Sequence, residues 1–238
     1  MNPLDRAKFQ IPSRLQMTRE IFGIIDAAKL IFNIPKLLEI QKGNGQRIIV
    51  LPGFATDDIF TYPLRKYLEQ IGYAPEGWGL GHNHGDVPVL LETFNKILRT
   101  KYAEKSEKII LVGWSLGGYL ARESARDNQD LIECVITLGS PIIGGPKYTS
   151  IADLYSNQHK IDMDVLEKEI DERYKVPLNI PLYSIYSKND NVVSWEACID
   201  HYSPNVINQE IDSTHIGLIV NAEAYSFIGK FLSTIRKN

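Results

Sequence analysis

Lys108-Ile109-Ile110-Leu111-Val112-Gly113-Trp114-Ser115-Leu116-Gly117-Gly118-Tyr119-Leu120-Ala121 is an apolar run that breaks at a glycine–serine turn and resumes with helical spacing. The Ile109–Val112 core reads as a buried strand, and the stretch from Tyr119 to Arg126 reads as a helix. Between them, Gly113-Trp114-Ser115-Leu116-Gly117 spells Gly-x-Ser-x-Gly. In a strand–turn–helix setting this pattern has a mechanical meaning. The serine at the sharp turn is held in a strained backbone conformation with its hydroxyl above the sheet, and side chains at the flanking glycines would collide with the neighbouring strand and helix. A helix starting at Ser115 would aim free N–H groups at any negative charge developing nearby. The pentapeptide alone is a weak signal; the strand before it and the helix after it make it strong.

Outward from this turn the chain alternates strands and helices, which predicts a mostly parallel sheet covered on both faces, an α/β fold in a single domain over residues 1–238. Arg47–Leu51 reads as the first strand, ending at Pro52-Gly53, and Tyr62–Ile71 as a helix. A short strand and a glycine-rich loop follow over Tyr73–Gly85, then a helix over Val87–Tyr102. Beyond the Ser115 helix, strands are expected at Leu131–Leu138, Pro181–Ser187 and Asn205–Ile211, and an amphipathic helix at Ala222–Ile235.

The chain has 238 residues, 44% of them hydrophobic, enough for one sizeable core. A formal charge of −3 provides no basic field, so nucleic acid is not an expected partner. Cys134 and Cys198 are too few for a disulfide framework and read as buried thiols. The N-terminus lacks a basic segment followed by an apolar core, and no stretch reaches 18 uncharged apolar residues. A cytoplasmic enzyme is the expectation.

Two segments fall outside the alternation. Residues 142–180 are helical and charged where a short connection would suffice, and read either as a cap over the site or as a surface insertion. Residues 1–46 read as a helical extension. Within it Ile21, Phe22, Ile25, Ala28 and Phe32 make an apolar stripe at helical spacing, with Arg19, Asp26 and Lys29 off it. Such a stripe either docks on its own domain or contacts a membrane surface or an acyl chain.

A serine hydroxyl becomes a useful nucleophile only when a base takes its proton, and the base needs a carboxylate to fix its tautomer. In this chain order the acid and then the histidine must follow the serine, on loops after later strands. Asp190, in Lys188-Asn189-Asp190-Asn191 after the strand ending at Ser187, fits the acid. His215, in Ser213-Thr214-His215-Ile216, lies between the last strand and the closing helix and fits the base. Glu196 and Asp200 lie in the following helical stretch, pointing elsewhere, and Asp212 is too close to His215. His159 and His201 read as surface or packing residues. Two N–H donors are needed for the oxyanion. Leu116 supplies one, and Phe54, after the Pro52-Gly53 turn, the other.

These residues resemble the α/β-hydrolase superfamily, specifically its bacterial lipase and esterase branch. The resemblance runs from about Arg47 to the C-terminus, on Leu51-Pro52-Gly53-Phe54, Gly113-Trp114-Ser115-Leu116-Gly117-Gly118, Thr137-Leu138-Gly139-Ser140-Pro141, Ser187-Lys188-Asn189-Asp190 and Ser213-Thr214-His215. The stretch Gly77-Trp78-Gly79-Leu80-Gly81 also looks like the second-strand loop of bacterial members. The resemblance implies a Ser115–Asp190–His215 triad, an oxyanion hole from Phe54 and Leu116, and hydrolysis of a small-molecule or lipid ester with no cofactor or metal. Two departures stand out: Pro52-Gly53 where many lipases have His-Gly, and no sign of the full fold's first two strands.

Rival readings remain. A thioesterase or acyltransferase would use the same triad. His82-Asn83-His84-Gly85-Asp86 spells the start of a metal-hydrolase pattern, although Val87 stands where that pattern wants another histidine. A non-catalytic binding module on the same fold is the third. If the N-terminal stripe and residues 142–180 together wall an acyl channel, medium or longer acyl esters are expected over acetate.

Overall fold

The computed structural model describes residues 5–235. Its centre is a six-stranded, all-parallel sheet: β1 (Arg47–Leu51), β2 (Ala74–Gly77), β3 (Ile109–Trp114), β4 (Ile132–Leu138), β5 (Leu182–Tyr186) and β6 (Val206–Glu210), in the order β2-β1-β3-β4-β5-β6. The chain starts beside the middle of the sheet, steps to one edge, then returns and walks to the other. The reversal between β1 and β3 is where an open parallel sheet leaves a crevice at its C-terminal edge.

β3 is buried along its whole length and β1, β4 and β5 nearly so, as expected of apolar runs covered on both faces. One face packs through Ile48, Val50, Ile110, Val112, Cys134 and Ile136 against α1 (Gly23–Leu37), α2 (Tyr62–Gln70) and α7 (Ala222–Ile235). The other packs through Ile49, Leu51, Leu111 and Val135 against α3 (Val87–Lys105) and α4 (Leu116–Asp127). Alternate residues of one strand thus feed two cores. Edge strand β2, with Pro75 in it, is closed by charge: Glu76 pairs with Arg47 and Lys101.

Residues 142–180 contain α5 (Ala152–His159) and α6 (Met163–Tyr174) after a 3-10 turn at Gly145–Tyr148. They are laced to the loop after β5 by the Thr149–Val193 bridge and by Ser150 N–H to Val192 O (2.8 Å). Arg6 adds a strap from the N-terminal segment, reaching Glu167 at 2.6 Å and Asp171 at 2.7 Å on α6.

The N-terminal segment corrects one expectation. A 3-10 stretch, Gln16–Phe22, leads into α1, and Pro35 lies inside α1 without ending it. The buried residues of this segment are Glu20, Gly23, Asp26, Leu30 and Leu37, not the apolar stripe. Ile21 is 66% exposed, Phe22 56%, Ile25 50% and Phe32 84%. The docked face is chosen by polar partners: Asp26 accepts from Ser213 Oγ (2.8 Å) and Asn221 Nδ2 (3.0 Å). Gly23 lies so close to Gly217 and Thr214 that a side chain there would be crowded at 3.0–3.1 Å. Periodicity located the stripe, and of its two readings the docked one does not hold: the stripe faces outward.

Candidate active site

Ser115 sits between β3 and α4 with φ 55 and ψ −127, a conformation that L-residues rarely adopt and that costs about 1–3 kcal/mol. The helix proper begins one residue later than expected, at Leu116, so Ser115 stands just outside it. The turn is held by Ser115 N–H to Leu138 O at 2.8 Å, which ties it to the neighbouring strand end. The glycines are steric necessities. A Cβ on Gly113 would strike the backbone of Gly117 and Gly118, and one on Gly117 would strike the Leu51 and Pro52 carbonyls.

Asp190 and His215 meet at this same end of the sheet. Asp190 Oδ2 lies 2.7 Å from His215 Nδ1, with the two side chains only 1% and 5% exposed. The other carboxylate oxygen, Oδ1, accepts from Val192 N–H (2.8 Å) and Val193 N–H (2.7 Å). One oxygen is therefore fixed by backbone and the other is left for the imidazole. With Nδ1–H donated to Asp190, Nε2 carries the free lone pair. Gly139, at the end of β4, makes room: at φ 54, a Cβ there would lie 3.0 Å from Asp190 Oδ2 and 3.2 Å from His215 Nδ1.

The backbone of His215 is pinned from two sides. Its carbonyl accepts from Trp114 Nε1 (3.0 Å), the residue before Ser115, and the two rings lie 5.4 Å apart. Its N–H donates to Glu20 Oε1 at 3.1 Å. The same Glu20 carboxylate accepts from Ile216 N–H (2.6 Å), Asn191 N–H (3.1 Å) and Asn191 Nδ2 (3.1 Å). Glu20 thus staples the loop of the acid to the loop of the base. Sequence reasoning missed it. The one available signal was that Glu20 and Asp26 are the only acids between Gln10 and Leu38, and both are buried.

Burial of His215 favours its neutral form, but the Asp190 carboxylate and, more weakly, that of Glu20 outweigh it, and its pKa is raised above the ordinary 6.5. Among the described residues no hydrogen bond joins Ser115 Oγ to the imidazole, a link that often tightens only when substrate is bound.

The loop after β1 passes directly over the serine: a Cβ on Gly53 would lie 3.1 Å from Ser115 Cβ. The N–H groups of Phe54 and Leu116 have no acceptor among the described residues, while the flanking Ala55 N–H donates to Asn83 O at 2.9 Å. Asn83, fully buried, donates from Nδ2 to Pro52 O (2.9 Å), and its own N–H reaches Thr56 O (2.8 Å). The middle of the His82–Asp86 stretch therefore props the Pro52–Thr56 loop. His82 and His84 are exposed, and Asp86 caps α3 through Val89 N–H at 3.5 Å. No group of three metal-ligating side chains forms among the described residues.

The remaining candidates fall elsewhere. Asp200 lies beyond the 3-10 turn Trp195–Cys198 rather than in a helix, and pairs with buried Arg122 at 2.6 Å. Glu196 accepts from Ser194 Oγ (2.6 Å), and Asp212 from Asn189 Nδ2 (2.7 Å). His201 is exposed; His159 packs on Tyr155, with ring centroids 4.5 Å apart. Cys134 and Cys198 are free and buried.

Above Ser115 is a narrow cavity of about 20 Å³ lined by Phe54, Leu116, Pro141, Pro146, Ile151, Tyr155 and Val193, among others. Pro146, Ile151 and Tyr155 belong to residues 142–180, whereas none of the N-terminal stripe lines it. A channel wall shared by the two segments is thereby excluded. A wider groove between α1 and α7 lies outside this constellation, and neither Ser115 nor His215 lines it.

No known protein-family profile matches the sequence, and no curated protein matches it. Solved structures do match. A lipolytic enzyme from the metagenome-derived LipS and LipT pair is 15% identical, with TM-score 0.63, covering 84% of this chain and 96% of that one. A lipase of Bacillus licheniformis, BlEst2, is 17% identical, with TM-score 0.61 over 83% of this chain and 94% of its own. An α/β superfamily hydrolase of Oenococcus oeni is 20% identical, with TM-score 0.58 over 82% and 94%. At such identities the likeness is one of architecture: the six parallel strands and their flanking helices are the α/β-hydrolase fold.

Proposed function

We propose that this chain is a serine hydrolase of carboxylic esters, acting through an acyl-enzyme on a small-molecule or lipid ester. The observation that carries the reading is the buried 2.7 Å Asp190–His215 pair beside a serine held at φ 55. Ser115 Oγ attacks the ester carbonyl while His215 Nε2 takes its proton. Asp190 holds the imidazole in the competent tautomer and stabilises the imidazolium that forms. The oxyanion is received by the Phe54 and Leu116 N–H groups, which are free and sit on a propped loop and a helix N-terminus. The tetrahedral intermediate collapses as His215 protonates the departing alcohol. Water activated by the same histidine then releases the acid.

The lipolytic and lipase structures of the same fold lend the ester class its support. Labelling with a fluorophosphonate and turnover of p-nitrophenyl esters test it directly. Ser115→Ala is expected to abolish both while the circular dichroism spectrum and melting temperature stay near those of the parent. Covalent labelling at another serine, or turnover retained in the variant, would refute the assignment.

A further inference from the structure

We propose that the outer face of residues 15–36 is a docking surface for an anionic lipid bilayer. At about 100° per residue, the side of α1 opposite Leu30 carries Phe32, Ile25 and Ile24, with Ile31 at its flank, and Ile21 and Phe22 precede them in the 3-10 stretch. These are 50–84% exposed, and together they form an apolar face with no partner in the fold. Isolated exposed apolar residues are ordinary, but six large ones within twelve residues of one outward-facing segment form an interaction surface.

Charge identifies the occupant. Between Gln10 and Leu38 the chain has two acids and four bases. Both acids, Glu20 and Asp26, are buried and hydrogen-bonded inside the fold. All four bases, Arg14, Arg19, Lys29 and Lys36, are exposed. The one ion pair among them, Arg14 with Asp153 at 3.2 Å, is open to solvent on both sides. What this face shows to the outside is therefore apolar side chains flanked by Arg14, Arg19, Lys29 and Lys36, of which only Arg14 is in an ion pair among the described residues. The nearby acids Glu39, Asp212 and Glu223 lie in the groove on the α7 side that Lys29 and Lys36 also line. An apolar face flanked by bases in this way is the pattern of a helix lying in the headgroup plane of an anionic membrane.

The position gives the surface a use. Glu20, within the same segment, holds the His215 and Asp190 loops. Ile216, directly after His215, is 43% exposed, and Phe60, stacked on Trp114, is 48% exposed. Apolar exposure thus continues from the helix to the rim of the candidate site, so a docked molecule would present that rim to the lipid. Docking itself does not depend on the ester-hydrolase reading, and the two are tested apart.

The test is vesicle co-sedimentation of the full chain carrying Ser115→Ala, with phosphatidylcholine alone or mixed with phosphatidylglycerol. Binding to the mixed vesicles is expected, weakened by salt and much lower on phosphatidylcholine alone. Lys29→Gln with Lys36→Gln is expected to lower partitioning roughly 30-fold, about fivefold per charge removed. Ile31→Ser with Phe32→Ser is expected to abolish it. In the Ser115 background this last pair should leave turnover of a soluble p-nitrophenyl ester unchanged, and that turnover reads the catalytic proposal on its own. Absence of vesicle binding would overturn the docking proposal, as would equal binding to both vesicle types or binding indifferent to both double variants. So would light scattering that shows a dimer undone by Ile31→Ser/Phe32→Ser, since the face would then be covered by a second copy.

Discussion

His215 is pulled in two directions, and the balance sets when it can act as a base. Its burial resists protonation, while the carboxylates of Asp190, from the loop after β5, and Glu20, from the 3-10 stretch, favour it; the Trp114 ring on its other side is uncharged. The raised pKa places the acidic limb of kcat/KM above pH 6.5, because only neutral imidazole accepts the serine proton. Glu20→Gln removes one anion while keeping an acceptor, so the limb is expected to move toward lower pH in a pH–rate series. An unmoved limb would leave Glu20 as a structural staple alone. Asp190→Asn is expected to cost about 10⁴-fold in kcat by favouring the wrong tautomer. Asp200→Asn acts differently: it strands buried Arg122, with an expected loss of about 3–5 kcal/mol in denaturant unfolding and little change in kcat of the folded enzyme. The pairing of Asp190 with His215 was legible because chain order and strand ends constrain where an acid and a histidine can meet on this fold. Glu20 was not, since nothing local distinguishes a glutamate that will fold onto a loop 195 residues away.

At the scale of elements, the strands were readable because they are apolar, short and punctuated, and β1, β3, β4 and β5 fall within a residue or two of where composition placed them. Helix α1 shows where that logic fails. Its most apolar side faces out, because the side with Gly23, buried Asp26, Leu30 and Leu37 fits the protein better, and a period cannot say which face finds a partner. The cavity above Ser115 has a corresponding consequence. Its walls from residues 142–180, such as Ile151 and Tyr155, are apolar, and each methylene buried there is worth about 0.8 kcal/mol, roughly fourfold in kcat/KM if realised in the transition state. With only about 20 Å³ free between these walls, turnover of p-nitrophenyl esters is expected to rise by no more than a methylene or two beyond acetate and to stop rising once the cavity is full. Ile151→Phe narrows the space and is expected to shift the optimum to shorter chains while sparing acetate. An identical chain-length profile in the two proteins would mean that the acyl group lies elsewhere.

For the whole molecule, the ionisable groups that hold the fold and the histidine of the proposed site make opposite demands on pH. Burial raises the Glu167 carboxyl, but hydrogen bonds from Lys147, Tyr148 and Arg6 bring it down to about 2. Asp200 is also lowered, as Arg122 and the Tyr202 N–H outweigh its burial. Groups lowered in the folded state stabilise it above their ordinary values, 4.5 and 3.8, and that contribution fades as pH falls through the folded ones. His215 has the opposite sign. With its pKa raised, its proton stabilises the fold fully below 6.5, and the contribution is lost as pH rises through the folded value. The melting temperature is therefore expected to peak between the carboxylate range and pH 6.5, and to decline on the alkaline side over the same interval in which kcat/KM climbs. On the proposed mechanism, the base is gained by giving up a stabilising proton. His215→Gln cannot make that exchange, so its melting temperature should lack the decline above pH 6.5 while keeping the acidic one. Thermal melts of the two proteins across about pH 3 to pH 9 decide the matter. If the same alkaline decline appears in His215→Gln, it belongs to other groups, and the link between stability and catalysis at this histidine is refuted.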